Sequence, residues 1–154
     1  MASAQDERCV FCDIVEGKFP ASVVFEDEST MAFVDNRQFH PGHMLVIPRG
    51  HFRNMRELNP PTGAALMATL SRIARAVSAT FPNQGLSIWR SIGEAAFQEV
   101  PHLHIHIHPR FKGDGILRVY PHSPATPNKQ MKDEYAERLR QFLNRSCGTS
   151  LTNR

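Results

Sequence analysis

The sequence predicts an α+β protein: a mainly antiparallel sheet of about five strands, one long helix packed on it, and a second helix near the carboxyl end. Three stretches carry that expectation. Residues 102–108 alternate histidine with Leu103, Ile105 and Ile107, the period of a strand with two unlike faces. His43-Met44-Leu45-Val46-Ile47-Pro48 is a near-continuous apolar run, which suits a central strand covered on both faces. Leu66, Met67, Leu70, Ile73, Ala74, Val77 and Phe81 fall at helical spacing and give one long amphipathic helix.

The remaining elements follow in order. Residues 1–8 are polar and read as a disordered tail. Asp13 to Lys18 suits a single helical turn ended by Gly17. Ser22–Glu26 and Thr30–Val34 read as a hairpin around the polar tip Asp27-Glu28-Ser29. Asn54 to Leu58 suits a short helix, and Asn59-Pro60-Pro61-Thr62 starts the long one with a capping side chain and proline in the first turn. Phe81-Pro82-Asn83 ends it, and Leu86 to Ile92 is read as a strand. Pro101 and Pro109 bracket the histidine strand, as residues unable to donate to a ladder. A proline-rich arm follows, with Pro121, Pro124 and Pro127, and then a helix from Lys129 to about Asn144 with Tyr135, Leu139 and Phe142 or Leu143 as its apolar face. The domain is bounded at residues 9–118, with 119–154 as a one-helix extension.

Composition limits the functional classes. A chain of 154 residues, 41% hydrophobic and 21% charged, can bury one core of its own. Net charge of +3 without any Lys/Arg block attracts anionic small molecules but does not require a nucleic-acid groove, and no nucleic-acid partner is expected. No apolar run approaches the ~18 residues of a membrane span, and the amino terminus has no signal-type apolar region. Three cysteines, two of them as Cys9-x-x-Cys12, argue against a disulfide framework and for a reducing compartment, with cytoplasm the expected location. Cys147 reads as an inert free thiol.

On a strand, His104 lies about 6 to 7 Å from its neighbouring histidines, so one phosphate-sized group can meet two imidazoles. Imidazole is nucleophilic near neutral pH, and a neutral ring held by a hydrogen bond at one nitrogen can attack phosphorus with the other. The middle of three alternating histidines, flanked on both sides, best fits the nucleophile, so His104 is assigned that role. His106 is assigned to the α-phosphate, where a donor offsets developing charge. Asp35 is the candidate ribose contact, because a carboxylate can accept from both hydroxyls; stabilising the turn before Asn36 is its structural alternative. Phe11, Phe33 and Ile14 lie near it in sequence or pattern and can sandwich a base. Cys9-x-x-Cys12 has the spacing of two thiolates on one tetrahedral Zn²⁺, a spacing shared by redox pairs and by plainly packed cysteines.

At His102-Leu103-His104-Ile105-His106-Ile107 the chain resembles the histidine-triad (HIT) family. The resemblance runs upstream through Val24-Phe25-Glu26-Asp27, Ala32-Phe33-Val34-Asp35, Pro41-Gly42-His43, Leu45-Val46-Ile47-Pro48 and His51, covering roughly residues 9 to 115. It implies a HIT-like fold and a nucleotide hydrolase or transferase that forms a nucleotidyl-histidine at His104, with His43 as a further polar contact. It also implies that zinc, where a Cys pair is present, is structural and completed by His51 and His102, and that no organic cofactor is needed. Family members form two-fold dimers, and an open sheet has edges to cover, so a homodimer is expected.

Several positions depart from the family pattern. Ser91 stands where relatives usually carry Asn. Ala96-Phe97-Gln98-Glu99 replaces Gly-Gln-Ser or Gly-Gln-Thr, so Phe97 fills a glycine position and Glu99 brings an acceptor-only carboxylate to the phosphate side. Gln98 is retained as a phosphate donor, Ser91 and Glu99 stay as substrate contacts, and Glu99 suits a cationic leaving group. His108 occupies an apolar slot and reads as an exposed strand-end histidine. Two other functions stay open: a nucleotide-binding protein with little turnover, and a metal-binding module in which His104 itself is a ligand.

Overall fold

A computed structural model of the chain describes residues 9–116 and 122–148, with side chains as far as residue 145. The chain divides into two compact units at Ile116, and each is described by itself. The first unit orders its elements as helix α1 (Val10–Val15), strands β1 (Val23–Glu26), β2 (Thr30–Val34) and β3 (Met44–Pro48), helix α2 (Pro60–Thr80), then β4 (Gly85–Trp89) and β5 (Ile105–Arg110). All strand pairs are antiparallel, in the order β1-β2-β3-β5-β4, so the chain has the expected α+β architecture.

Strand β3 is buried at every residue, because the sheet is covered twice. Met44 and Val46 join Ala32, Leu103, Ile105 and Ile107 against Leu66, Leu70, Ile73 and Val77 of α2. Leu45 and Ile47, on the opposite face, join Met31 and Phe33 against Phe11 and Ile14 of α1. Alternate side chains of one strand therefore feed two cores. Helix α2 starts where expected: Asn59 accepts from the Thr62 amide at 3.0 Å, with proline at the first helical position. Met67, expected in its apolar stripe, is instead 62% exposed. Thr69 lies on the buried face and meets Thr30 Oγ1 at 2.7 Å.

Several element boundaries of the first unit differ from expectation. Helix α1 begins at Val10 and not at Asp13, because Cys9 caps it through Sγ, which accepts from the Cys12 amide at 3.4 Å. Gly17 does end that helix, at φ +72°, the left-handed conformation glycine adopts freely. The histidine ladder begins at Ile105 rather than Pro101. Its preceding residues bond to the loop after β3 instead: Leu103 N donates to Phe52 O at 2.6 Å. Strand β4 stops at Trp89, opposite His106. At the other end β5 runs through Pro109 to Arg110; β3 no longer pairs there, so a missing N–H leaves no vacancy on that side.

The second unit contains helix α3 (Lys129–Gly148), four residues longer than expected and capped by Asn128, whose Oδ1 accepts from Met131 N at 2.9 Å. Tyr135, Leu139, Phe142 and Leu143 are all exposed on it. Residues 1–8, Pro121 and the Cys147 side chain lie outside the described residues. Among the described residues no helix is long and apolar enough to cross a membrane.

Candidate nucleotide and metal sites

The triad face is not a solvated strand face. His102, His104 and His108 are all buried, and His106 is half-buried. Register explains the covering: Trp89 lies opposite His106 on β4 and stacks on its ring, with centroids 4.7 Å apart and planes 3° from parallel. Phe11 of α1 meets His104 edge to face at 5.1 Å. His108, expected at an exposed strand end, is only 1% exposed, because the His40, His43 and Trp89 rings surround it. Its Nδ1–H donates to Pro109 O at 2.7 Å.

Carbonyl partners fix the tautomers, since a carbonyl only accepts. His104 Nδ1 lies 2.6 Å from the His102 carbonyl and must carry the proton, leaving the lone pair on Nε2. Burial pushes this imidazole down to about 4, so it is neutral at physiological pH. His43 Nδ1–H donates to Arg37 O at 2.8 Å, so its Nε2 accepts from His106 Nδ1–H at 2.9 Å. Burial, then the charges of neighbouring His104 and His43, push His106 down to about 3.

Asp35 is buried beneath this pair. Its Oδ2 lies 3.7 Å from His43 Nε2 and 3.8 Å from His106 Nδ1. Its Oδ1 accepts from Arg37 N at 2.7 Å, so the same carboxylate also holds the turn. One oxygen therefore remains for other partners. Asp35 lines a cleft of about 220 Å³ together with Phe11, Ile14 and Phe33, the residues expected to hold a base, and with Arg37 and Val100.

The loop before the triad is arranged differently from expectation. Gln98 does not present a free amide. Its Nε2 donates to Arg53 O at 2.8 Å and Val100 O at 3.1 Å, and its Oε1 accepts from Gly93 N at 2.9 Å, so it clamps the loop. Glu99 is held in two parallel bonds by Arg37, at 2.9 and 3.2 Å, and this pairing lowers its carboxyl below the usual range. Phe97 keeps φ +62°, the conformation suited to the glycine it replaces, and its side chain is 87% exposed. Ser91 lies half-buried, two residues beyond β4.

The Cys pair and two histidines do come together. Cys9 Sγ and Cys12 Sγ lie 3.3 and 3.5 Å from His102 Nδ1, and Cys12 Sγ lies 3.2 Å from His51 Nδ1. All four ligand atoms fall within 4.8 Å of one another. His102 Nε2–H donates to Pro48 O at 2.9 Å, which leaves Nδ1 unprotonated and aimed at the thiols. Burial and the neighbouring Cys9 push the Cys12 thiol up to about 11. Two sulfurs and two imidazole nitrogens, with a carbonyl orienting one ring, form the donor set that suits a closed tetrahedral Zn²⁺ site.

Sequence reading missed three residues here: Arg37, Gln38 and Trp89. Gln38 ties its loop shut, donating to Asp35 O and His43 O and accepting from Gly42 N and His43 N. Trp89 was discoverable, because pairing the two neighbouring strands in register sets it beside His106. The others depend on loop paths that no periodicity reports.

A family model described as "HIT domain" matches residues 16–113. The chain is 41% identical to "Protein hit" of Bacillus subtilis over 115 residues, 74% of this chain and 79% of that protein. It is 31% identical to "Adenylylsulfatase HINT3" of Arabidopsis thaliana, over 73% of this chain and 57% of that one. Among solved structures, a Zn-bound histidine triad family protein from Mycobacterium smegmatis is 41% identical and superposes with a TM-score of 0.66, covering 75% of this chain and 84% of that chain. With residues 16–113, the triad strand among them, matched to its model, this chain belongs to the HIT domain family.

Proposed function

We propose that the chain is a nucleotidyl hydrolase or transferase acting through His104. The observation that carries this reading is the 2.6 Å bond from His104 Nδ1–H to the His102 carbonyl, which leaves Nε2 unprotonated in a buried, neutral ring. Nε2 attacks the α-phosphorus of a nucleoside monophosphate ester, anhydride or amidate, an amine leaving group departing protonated by solvent. A P–N bond forms, the bond to the leaving group breaks, and the leaving group departs with the bonding electron pair. Water, or another hydroxyl acceptor, then attacks the phosphorus and gives its proton to solvent, while the P–N bond breaks and its electron pair returns to Nε2, leaving His104 neutral. Attack places positive charge on the His104 ring, and the Asp35 carboxylate, whose charge acts on that ring and which lies beside the hydrogen-bonded His43–His106 pair, offsets it. Asp35 and the Phe11–Phe33 cleft take the ribose and base. Candidate substrates are nucleoside phosphoramidates, dinucleoside polyphosphates and acyl or sulfo nucleotides; the relative named an adenylylsulfatase supports the last class.

Zinc held by Cys9, Cys12, His51 and His102 is structural in this reading. It ties α1 to the segment entering the triad strand, and His104 stays free of metal. The four converging donor atoms and the Zn-bound relative support it.

The test is quenched-reaction mass spectrometry with adenosine 5′-phosphoramidate and adenosine 5′-phosphosulfate. The expected result is an adenylyl adduct on His104, absent in His104→Ala. A second reading, a nucleotide-binding protein with little turnover, draws on Gln98 and Glu99, both committed to other partners. Tight nucleotide binding with neither adduct nor product supports that alternative and rejects catalysis.

A further inference from the structure

Arg90 follows directly on Trp89, the residue stacked over His106. Its guanidinium is half-buried, and its Nε is fully buried with no hydrogen-bond partner. The hydrogen bond it does make is long, 3.5 Å from Nη2 to Arg53 O, and that carbonyl already accepts from Gln98 at 2.8 Å. Among the described residues no carboxylate pairs with Arg90, and burial lowers its affinity for its proton. Its positive charge acts on His102, His104 and His106 alike, holding each towards the neutral form.

A half-buried cation with a fully buried, orphaned donor is costly unless a further partner, best an anion, completes it. The other charged groups at the mouth do not compete: Arg37 and Glu99 neutralise each other, and Arg53 and Arg56 are exposed. Glu99, engaged with Arg37, is also unavailable to hold a cationic leaving group.

We infer that Arg90 is the leaving-group contact of this site, and that it takes an anionic leaving group joined through oxygen (phosphate, sulfate or carboxylate) rather than an amine. The inference deepens the nucleotidyl-transfer reading and rests on its assignment of the α-phosphorus to His104. Arg90 acts by binding and by offsetting charge on the departing oxygen. It moves no proton, since a guanidinium stays charged.

The experiment uses the full chain, with Trp89, its only tryptophan, as a fluorescence reporter beside His106. AMP and ADP are titrated against wild type, Arg90→Met and Arg90→Lys, the β-phosphate of ADP standing in for an anionic leaving group. Wild type is expected to prefer ADP about tenfold, the scale of one charge-assisted hydrogen bond. Arg90→Met is expected to lose that preference while keeping its AMP affinity, and Arg90→Lys to keep part of it. An unchanged ADP-to-AMP ratio in Arg90→Met overturns the inference, as does equal weakening of both ligands. Turnover gives the second readout: kcat/KM for adenosine 5′-phosphosulfate is expected to fall about tenfold more than that for the phosphoramidate. Equal losses for both substrates count against Arg90 as the specificity residue. If wild type turns over neither substrate while the binding ratio still depends on Arg90, the catalytic reading fails and the anion contact stands.

Discussion

A single proton position gives His104 its reactivity. With Nδ1–H fixed on the His102 carbonyl, the free lone pair is on Nε2, and no side-chain base is needed. His104→Ala is expected to lower kcat by about a thousandfold or more, the usual scale for removing a nucleophile, without abolishing nucleotide binding; steady-state rates alongside Trp89 titrations check both halves. His106 carries a second consequence. Unfolded, it takes a proton near its ordinary value of 6.5; folded, burial delays protonation to about 3. Between those values the unfolded chain binds more protons, so acidification favours unfolding, and this contribution is complete only above about 6.5. Thermal midpoints are therefore expected to fall as pH drops below that point, with a shallower slope in His106→Gln; an equal slope in the variant would remove His106 from the account.

Elements bring these residues together through short-range features that periodicity only partly reveals. The hairpin, the central strand and the capped helix α2 were legible, because alternation, an uninterrupted apolar run and Asn-Pro-Pro each have one main structural reading. The start of α1 was not, because its cap is a cysteine sulfur, outside the usual capping residues. The exposed end expected for His108 was wrong for a different reason: alternation says which side chains share a face, not whether His40, His43 and Trp89 cover it. The Cys pair was legible from its spacing, and His51 and His102 were named only through the family resemblance; the closeness of the four follows from where the chain after β3 meets the segment entering β5. Metal analysis should find about one zinc per chain and essentially none in Cys9→Ala, with the thermal midpoint falling as α1 loses its tie to that segment. Gly42 is an element-scale constraint of another kind. At φ +103° an added Cβ would meet the Phe81 ring at 2.6 Å, where α2 ends. Gly42→Ala is expected to cost about 1 to 3 kcal/mol in denaturant melts, from backbone strain and overpacking together.

At the scale of the whole molecule, the sheet leaves two edges, and they are not equivalent. Strand β1 has four residues and a register break between Val23 and Phe25, features that disfavour pairing with another chain. Strand β4 is regular across five residues; its Leu86 packs against the α2 core, while Ile88 on the same face is 48% exposed. A second copy pairing along β4 would cover that side chain and extend the sheet. The full chain is therefore expected to sediment as a dimer of 17.4 kDa protomers, and Ile88→Lys as a monomer. Helix α3 supplies the competing surface, with Leu139, Phe142 and Leu143 all exposed. A chain ended after residue 116 separates the two, because every proposed site residue precedes that point. If β4 is the interface, the shortened chain still dimerises, binds zinc and forms the His104 adduct. If it becomes monomeric while Ile88→Lys in the full chain stays dimeric, the contact belongs to the carboxyl-terminal unit and the β4 assignment is wrong.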